Sequence, residues 1–158
     1  MVIRKRIIEL ESQQVTSTDQ TWLDVEQLAQ VEVTSEDTEF PIESALVAGS
    51  ATGWRAASEG EQAIRLLFDS PQKLGCIRLD FIEETQQRTQ EFVLKWSSDG
   101  GKTWHDIVRQ QYNFSPPDAV RELEEYHVEL DSVTTLELRI IPEISGGGYA
   151  TLAQMRIG

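Results

Sequence analysis

The sequence predicts an all-β fold, an antiparallel β-sandwich or jelly roll, and three observations support this prediction. From Ile64 onward, apolar and polar residues alternate over short segments, which is the period of a strand with one buried and one solvated face. Turn-forming residues cluster between these segments. Amphipathic helical patterns of the kind that a bundle or a βαβ fold requires do not occur. Two sheets that close on their apolar faces satisfy all three observations.

The alternating segments define the predicted strands in chain order. The apolar residues expected to face the core are Ile64, Leu66, Phe68, Ile77, Leu79, Phe81, Phe92, Leu94, Trp96, Ile107, Tyr126, Val128, Leu130, Leu136, Leu138, Ile140, Ala153, Met155 and Ile157. The residues of opposite parity, expected on the solvated faces, are Arg65, Arg78, Asp80, Lys95, His127, Glu129, Glu137 and Arg139.

The first third of the chain is patterned less regularly. Residues 1–20 are interpreted as an extra strand followed by a flexible loop. Apolar spacing over Trp22–Gln30 predicts one or two helical turns, followed by a strand through Val31 and Val33. Phe40–Glu43 is predicted to form a short helical turn with its proline at the first position.

Size and charge limit what the chain can be. Its 158 residues have the usual length of one domain, so we predict a single β-sandwich domain over residues 1–158. The net charge of −13 disfavours binding to nucleic acid and to anionic membranes. No segment approaches the ~18 apolar residues of a membrane span, and the start lacks the apolar region of a signal peptide. The single cysteine, Cys76, cannot form an internal disulfide, and these features together predict a cytoplasmic protein.

One motif, at Ser97–Trp104, follows the Asp-box pattern S-x-D-x-G-x-T-W. Asp99 can accept hydrogen bonds from the turn backbone, and its glycines permit positive φ. Asp-boxes recur in sialidase propellers, whereas this chain has one copy. We interpret the motif as a structural hairpin turn.

Several motifs follow one another in a recognisable order. They are Pro-Ile-Glu-x-Ala-Leu from Pro41, a loop with Trp54, Gln62-x-Ile64, and F-x-L-x-W-S-S-D-G-G-K-T-W from Phe92. This order, over roughly residues 30–158, resembles the galactose-binding-like superfamily, which includes discoidin and coagulation-factor C-type (F5/8 type C) domains. The tract Trp54–Glu61 also resembles the N-terminal domain of the scaffold protein of single-strand break repair.

The resemblance implies a galactose-binding domain-like jelly roll that binds a ligand through loops at one end. Two departures matter. The disulfide that joins the ends of many extracellular members is impossible with one cysteine. The loop that often holds calcium before the tryptophan reads Val47–Gly53 and has no carboxylate, so we expect no calcium there.

The sequence contains no recognisable catalytic or metal-binding motif. His105 and His127 lack metal-ligand spacing, and neither a nucleophile elbow nor a phosphate-binding glycine loop is present. We therefore predict that the chain is not an enzyme and has no cofactor or metal. A pair of catalytic carboxylates stays open, because such pairs are defined in space rather than in sequence.

Strand parity predicts where a ligand would bind. If the strands from residue 74 onward are consecutive and antiparallel, the loops 83–89, 113–121 and 143–148 lie at one end, and the Asp-box turn lies at the other. Family analogy adds loops 35–44 and 47–57 to the same end. Long loops on a rigid scaffold are the usual place for binding.

The candidate ligand-binding residues in these loops are Trp54, Arg55, Arg88, Tyr112, Asn113 and Tyr149. Aromatic rings can stack on sugars, while arginine and asparagine bond their hydroxyls. Other interpretations stay open: Trp54 as a plug of the sandwich end, Arg55 and Arg88 as partners of nearby carboxylates, and Gln110–Pro116 as a packed loop. We favour a ligand-binding module with a saccharide as ligand, and the alternative is an intracellular protein–protein interaction module.

Overall fold

A computed structural model describes residues 21–50 and 52–158, so the strand and loop predicted within residues 1–20 lie outside the described residues. The bounds of the described elements are α1 Val25–Leu28, β1 Ala29–Val33, α2 Glu43–Leu46, β2 Trp54–Arg55, β3 Gln62–Ile82, β4 Arg88–Ser97, β5 His105–Phe114, β6 Arg121–Ile141, β7 Thr151–Leu152 and β8 Gln154–Ile157. Both helices in this described part of the chain have four residues, far fewer than a membrane-spanning helix requires.

The two longest strands, β3 and β6, have 21 residues each and pair antiparallel along most of their length. Their register runs from Gln62 opposite Ile140 to Ile82 opposite Arg121, and it shifts midway along β3. Such irregularities bend a ladder and increase its twist. β3 and β6 therefore leave one layer of the sandwich together and enter the other.

The remaining strands complete the two layers around this bent pair. One layer runs β1, the first half of β3, the second half of β6, β4 and β5. The other runs β8, the second half of β3 and the first half of β6. A separate short ladder joins β2 to β7. The predicted antiparallel β-sandwich is confirmed.

The apolar faces of the two layers meet in one core. Phe81 from one layer stacks on Phe92 from the other, with ring centroids 5.2 Å apart. The predicted inward residues that are buried are Ile64, Leu66, Phe68, Ile77, Leu79, Phe81, Phe92, Leu94, Leu136, Leu138, Ile140, Met155 and Ile157. Period-two alternation therefore identified most of the interface between the sheets.

Two carboxylates expected on the solvated faces are buried instead. Glu137 Oε1 accepts hydrogen bonds from Arg65 Nε at 3.1 Å and from Arg139 Nη2 at 3.0 Å. Asp80 accepts two hydrogen bonds from Arg121, both at 2.9 Å. Long arginine side chains cover their partners on an outer face. Parity therefore predicts the face of a residue but not its exposure.

The local predictions before β3 agree closely with the structure. The helical turn α1 and the strand β1 follow one another where that order was expected. The second helical turn begins at Glu43 rather than at Pro41. Pro41 instead supplies the carbonyl that accepts from Ser44 N at 3.0 Å, so it lies in the turn that leads into α2.

The Asp-box forms the turn between β4 and β5. Asp99 accepts hydrogen bonds from the hydroxyls of Ser97 and Thr103 and from the backbone N–H groups of Thr103 and Lys102. These bonds hold the pKa of Asp99 well below its usual range. The carboxylate is thus committed to the turn, which confirms its structural interpretation.

A buried polar network lies between the layers beside β6. Glu122 is 1% exposed, its Oε1 accepts from Gln90 Nε2 at 3.2 Å, and its Oε2 has no partner in the described part of the chain. Burial, followed by the nearby charge of Glu124, raises the pKa of Glu122 to about 7. The folded protein therefore keeps a proton on Glu122 at pH values where the unfolded chain has lost it.

This proton makes stability depend on pH in a defined direction. Between about pH 4.5 and about pH 7 the folded state binds more protons than the unfolded state, so the free energy of unfolding falls as pH rises. Glu122→Gln removes this contribution. The free energy of unfolding should then change by up to about 3 kcal/mol less between about pH 4.5 and about pH 7 than it does in the wild type. Urea titrations at several pH values measure it, with Glu129→Gln, an exposed site on the same strand, as the matched control. Equal slopes in wild type and Glu122→Gln would contradict the assignment.

Candidate functional site

The irregular connections gather at one end of the sandwich, here called the loop pole (residues 34–50, 52–61, 83–87, 115–120 and 142–150). Strand registers place Ile82 opposite Arg121 and Arg88 opposite Phe114, so the loops beyond them leave at the same end. A backbone hydrogen bond also joins Gly60 N to the Gly148 carbonyl at 2.9 Å. The predicted gathering of loops at one end is confirmed.

Trp54 is the plug of this pole. It is 2% exposed, and its Nε1 donates to the Ser35 carbonyl at 3.0 Å. A ring with so little free surface has no face to offer a sugar. The alternative interpretation from the sequence is therefore the one that the structure shows, and Trp54 supports the pole from beneath.

Backbone pairing on both sides fixes Arg55, the next residue. Arg55 pairs with Thr151 in the β2–β7 ladder. On the other side, Asp37 N donates to Arg55 O at 2.8 Å, and Arg55 N donates to Phe40 O at 3.1 Å. The exposed guanidinium therefore extends from a backbone that is held along both edges.

Gly53 makes this placement possible. Its φ of +78° suits glycine, and a Cβ at this position would lie 2.7 Å from the Leu152 carbonyl oxygen and 2.9 Å from Ala153 Cα. The chain that leads into Trp54 thus passes directly against the β7–β8 connection, where only hydrogen fits.

Arg55 and Tyr149 meet at the surface. The guanidinium carbon lies 4.9 Å from the centre of the Tyr149 ring, a cation–π distance, and Tyr149 remains 41% exposed. Both line a depression of about 510 Å³, here called the Arg55–Tyr149 depression, whose other lining residues are Glu36, Asp37, Thr38, Phe40, Ala56 and Ala57. Its size lies in the range of small-molecule sites.

A second depression of about 300 Å³ adjoins the first and shares Phe40 and Arg55 with it. It extends toward Ile82 and Glu84, and Trp54 forms part of its floor. A ligand larger than one sugar ring could therefore occupy both depressions across Arg55.

Arg88 belongs to the interior of the loop pole. Its side chain is 4% exposed, and it donates to Glu83 Oε1 at 2.7 Å and to the Pro142 carbonyl at 2.8 Å. The guanidinium also lies over the Phe114 ring at 4.8 Å. Burial alone would raise the pKa of Glu83, but hydrogen bonds from Arg88 and from the Thr85 backbone outweigh it and hold that pKa below its ordinary value. Arg88 thus tethers two loops and lacks a free face for a ligand.

Tyr112 and Asn113 lie apart from the Arg55–Tyr149 depression. Tyr112 is half-buried and meets Phe114 edge-on at 4.9 Å. Asn113 Oδ1 accepts from Thr89 Oγ1 at 2.6 Å and faces another depression, which Glu143 also lines. The structure therefore divides the six candidates. It brings Arg55 and Tyr149 together above Trp54, whereas Arg88 and Asn113 line the other depression and Tyr112 lines neither.

The sequence reasoning missed the polar residues Glu36, Asp37 and Thr38 of the depression. They lie between β1 and α2, where no alternation or motif marks a site. The available signal was the run of polar residues 34–39, which Phe40 separates from the Pro-Ile-Glu motif.

The loop that often holds calcium in similar domains does not fit that ion here. Arg156 donates to the carbonyl oxygens of Leu46 at 2.7 Å and of Val47 at 2.9 Å. A buried guanidinium therefore occupies the start of the Val47–Gly53 segment, which itself lacks carboxylates. The Arg156 guanidinium and a calcium ion cannot both bind the same carbonyl oxygens, because both are cations that need these lone pairs.

The two-layer jelly roll with ligand-sized depressions at its loop pole defines a β-sandwich of the discoidin-like class. The profile of the F5/8 type C domain matches residues 30–155, and the chain belongs to this family. No curated protein sequence matches the chain.

Solved structures with the same fold include carbohydrate-binding modules. The family 32 module of Clostridium perfringens NanJ in complex with galactose has a TM-score of 0.63 and 13% identity, covering 87% of this chain and 97% of that one. A pectin-binding module has a TM-score of 0.62 and 18% identity, covering 84% and 91%. Chitosan-binding module 1 from a Paenibacillus sp. IK-5 chitosanase/glucanase has a TM-score of 0.58 and 15% identity, covering 86% and 98%.

The close approach at Gly53 predicts a large difference between two glycine variants. Gly53→Ala should lower the free energy of unfolding by about 3 kcal/mol, because the new methyl group meets backbone atoms and the left-handed φ is strained. Gly60→Ala shares the positive φ but points into open space, so it should cost about 1 kcal/mol. Urea denaturation measures both, and equal losses would show that packing against Leu152 contributes nothing.

The tether at Arg88 predicts a second pair of variants. Arg88→Met should destabilise the protein by about 3 kcal/mol, since it leaves Glu83 and the Pro142 carbonyl without their buried partner. Arg109→Met removes the exposed pair with Glu91 and should cost less than about 1 kcal/mol. Thermal unfolding distinguishes them, and a tolerant Arg88→Met would refute the tether.

Proposed function

We propose that the chain is a non-catalytic carbohydrate-binding module whose site is the Arg55–Tyr149 depression. One observation carries the proposal: an exposed aromatic ring, a guanidinium and oxygen acceptors converge there. A ring in this position covers the apolar face of a sugar, an arginine donates to its hydroxyl oxygens, and Asp37 and Thr38 accept from its hydroxyl groups.

The comparisons support this proposal at the level of the fold. Similarly folded modules are described in complex with galactose, or as pectin-binding and chitosan-binding. Those ligands belong to those proteins, and fold likeness alone does not transfer them. The argument for this chain rests on the chemistry of its own depression.

The hydrogen bonds that the carboxylates of the depression accept support a role in ligand binding and not in catalysis. Glu36 Oε2 accepts from Ile42 N at 2.8 Å, and Asp37 Oδ1 accepts from Glu39 N at 3.0 Å, so both carboxylates also hold their own loop. His105, a group that could transfer protons, packs on Trp96 at the start of β5, away from the loop pole.

The charge of the two adjoining depressions indicates a preference among saccharides. Glu36, Asp37 and Glu84 line them together with the single cation Arg55, which already faces Tyr149. Carboxylates repel an anionic sugar and attract a protonated amino sugar. We expect neutral and amino sugars to bind more tightly than uronic acids.

Calorimetric titration tests the proposal with galactose, chitosan oligosaccharides and oligogalacturonate. We expect millimolar or tighter affinity for at least one of the first two. Tyr149→Ala should bind about tenfold more weakly, because a stacked ring contributes about 0.5–1.5 kcal/mol in addition to the apolar area that it covers. Arg55→Ala should weaken binding similarly through lost hydrogen bonds.

Asn113→Ala is the matched control, since Asn113 is exposed at the same pole but lines a different depression. Its affinity should equal that of the wild type. The proposal fails if no saccharide binds at millimolar concentration, or if Asn113→Ala weakens binding while Tyr149→Ala does not.

A further inference from the structure

A group of potential metal ligands lies on the outer face of the layer formed by β8, β3 and β6. Cys76 in β3 lies directly opposite His127 in β6, and Arg78 lies directly opposite Glu125. Side chains at such cross-strand positions are immediate neighbours. Cys76 and His127 are 51 residues apart in sequence, so no spacing motif marks them, and only the register of β3 with β6 brings them together.

The ligand atoms converge on one carboxylate oxygen. Glu125 Oε1 lies 3.4 Å from Cys76 Sγ and 3.9 Å from His127 Nε2. The sulfur, nitrogen and oxygen atoms all lie within 4.8 Å of one another. Neighbouring ligands of a tetrahedral zinc ion are about 3.3–3.7 Å apart, given its bond lengths. A small movement of the exposed His127 ring would therefore close the set around one ion.

The other oxygen of the same carboxylate is already fixed. Arg78 Nη2 donates to Glu125 Oε2 at 3.2 Å, and Arg78 lies over the Trp22 ring at 5.3 Å. A hydrogen bond of this kind orients a ligating carboxylate, as outer partners do in metal sites. Oε1 is thereby directed toward Cys76 and His127.

We propose that Cys76, Glu125 and His127 form a binding site for a borderline-soft divalent metal ion of the Zn²⁺ class. One thiolate, one imidazole and one carboxylate are ligand types that such ions accept, whereas calcium requires oxygen ligands throughout. Water completes the fourth position on the side of the exposed His127. Binding replaces the thiol proton with the metal, so one proton is released for each ion bound. The site is independent of the Arg55–Tyr149 depression, since it lies on a strand face and not at the loop pole.

Cobalt titration of the full chain, prepared without a histidine tag and freed of metal by dialysis against a chelator, tests the proposal. We expect one Co²⁺ per chain, with a thiolate-to-cobalt charge-transfer absorption in the near ultraviolet that Zn²⁺ removes and excess Ca²⁺ does not. Cys76 is the single cysteine of the chain, so this absorption reports on that ligand directly.

His127→Gln carries the decisive comparison because His127 is exposed and its replacement leaves the core intact. We expect at least about tenfold weaker cobalt binding in this variant. His105→Gln replaces the one other histidine and should bind as the wild type does. Cys76→Ser should lose the charge-transfer absorption, with thermal unfolding confirming that it is folded. Absence of this absorption in the wild type, or equal affinity of His127→Gln and wild type, overturns the proposal.

Discussion

The pairing of β3 with β6 is the constraint on which the rest of the molecule depends. Each strand runs the height of one layer, bends at the shifted register and returns in the other layer. Because both ends of both strands then lie at the same end of the sandwich, the loops that follow them must meet there. The loop pole is thus a result of backbone register and not of any attraction among the loops.

Within that pole, the side chains that hold the loops are not those of the proposed site. Trp54 and Arg88 are buried and engaged with backbone carbonyls, so they hold loops in place. Arg55 and Tyr149 extend from that fixed backbone and face solvent, so they are available to a ligand. A rigid base of this kind reduces the entropy that loops would otherwise lose when a ligand binds.

The sequence predicted the fold and the loops from residue 83 onward because both follow from period-two alternation and strand parity, which are local properties. Loops 35–44 and 47–57 were placed at the same end by resemblance to the family. It could not separate Trp54 from Tyr149, since both are aromatic residues in loops. The difference comes from distant partners: Ser35 accepts from Trp54, while Tyr149 has Arg55 on its ring. Glu137 and Asp80 were misjudged for the same reason, because arginines from neighbouring strands cover them. The Cys76–His127 pair likewise depends on register between strands that the chain connects only over a long distance.

The contact between Leu23 and Ile157 has a consequence for how this sandwich can be joined to other proteins. Leu23 N donates to Ile157 O at 2.8 Å, and Gly75 N donates to the Gly158 carbonyl at 2.6 Å. Residues 23 and 158 therefore lie close together, next to the part of β3 from Gly75 to Ile77. Neighbouring ends of this kind are those that tolerate insertion of a unit into a host chain. A unit joined at residue 23 or at residue 158 would therefore attach away from the strand ends that carry the Arg55–Tyr149 depression.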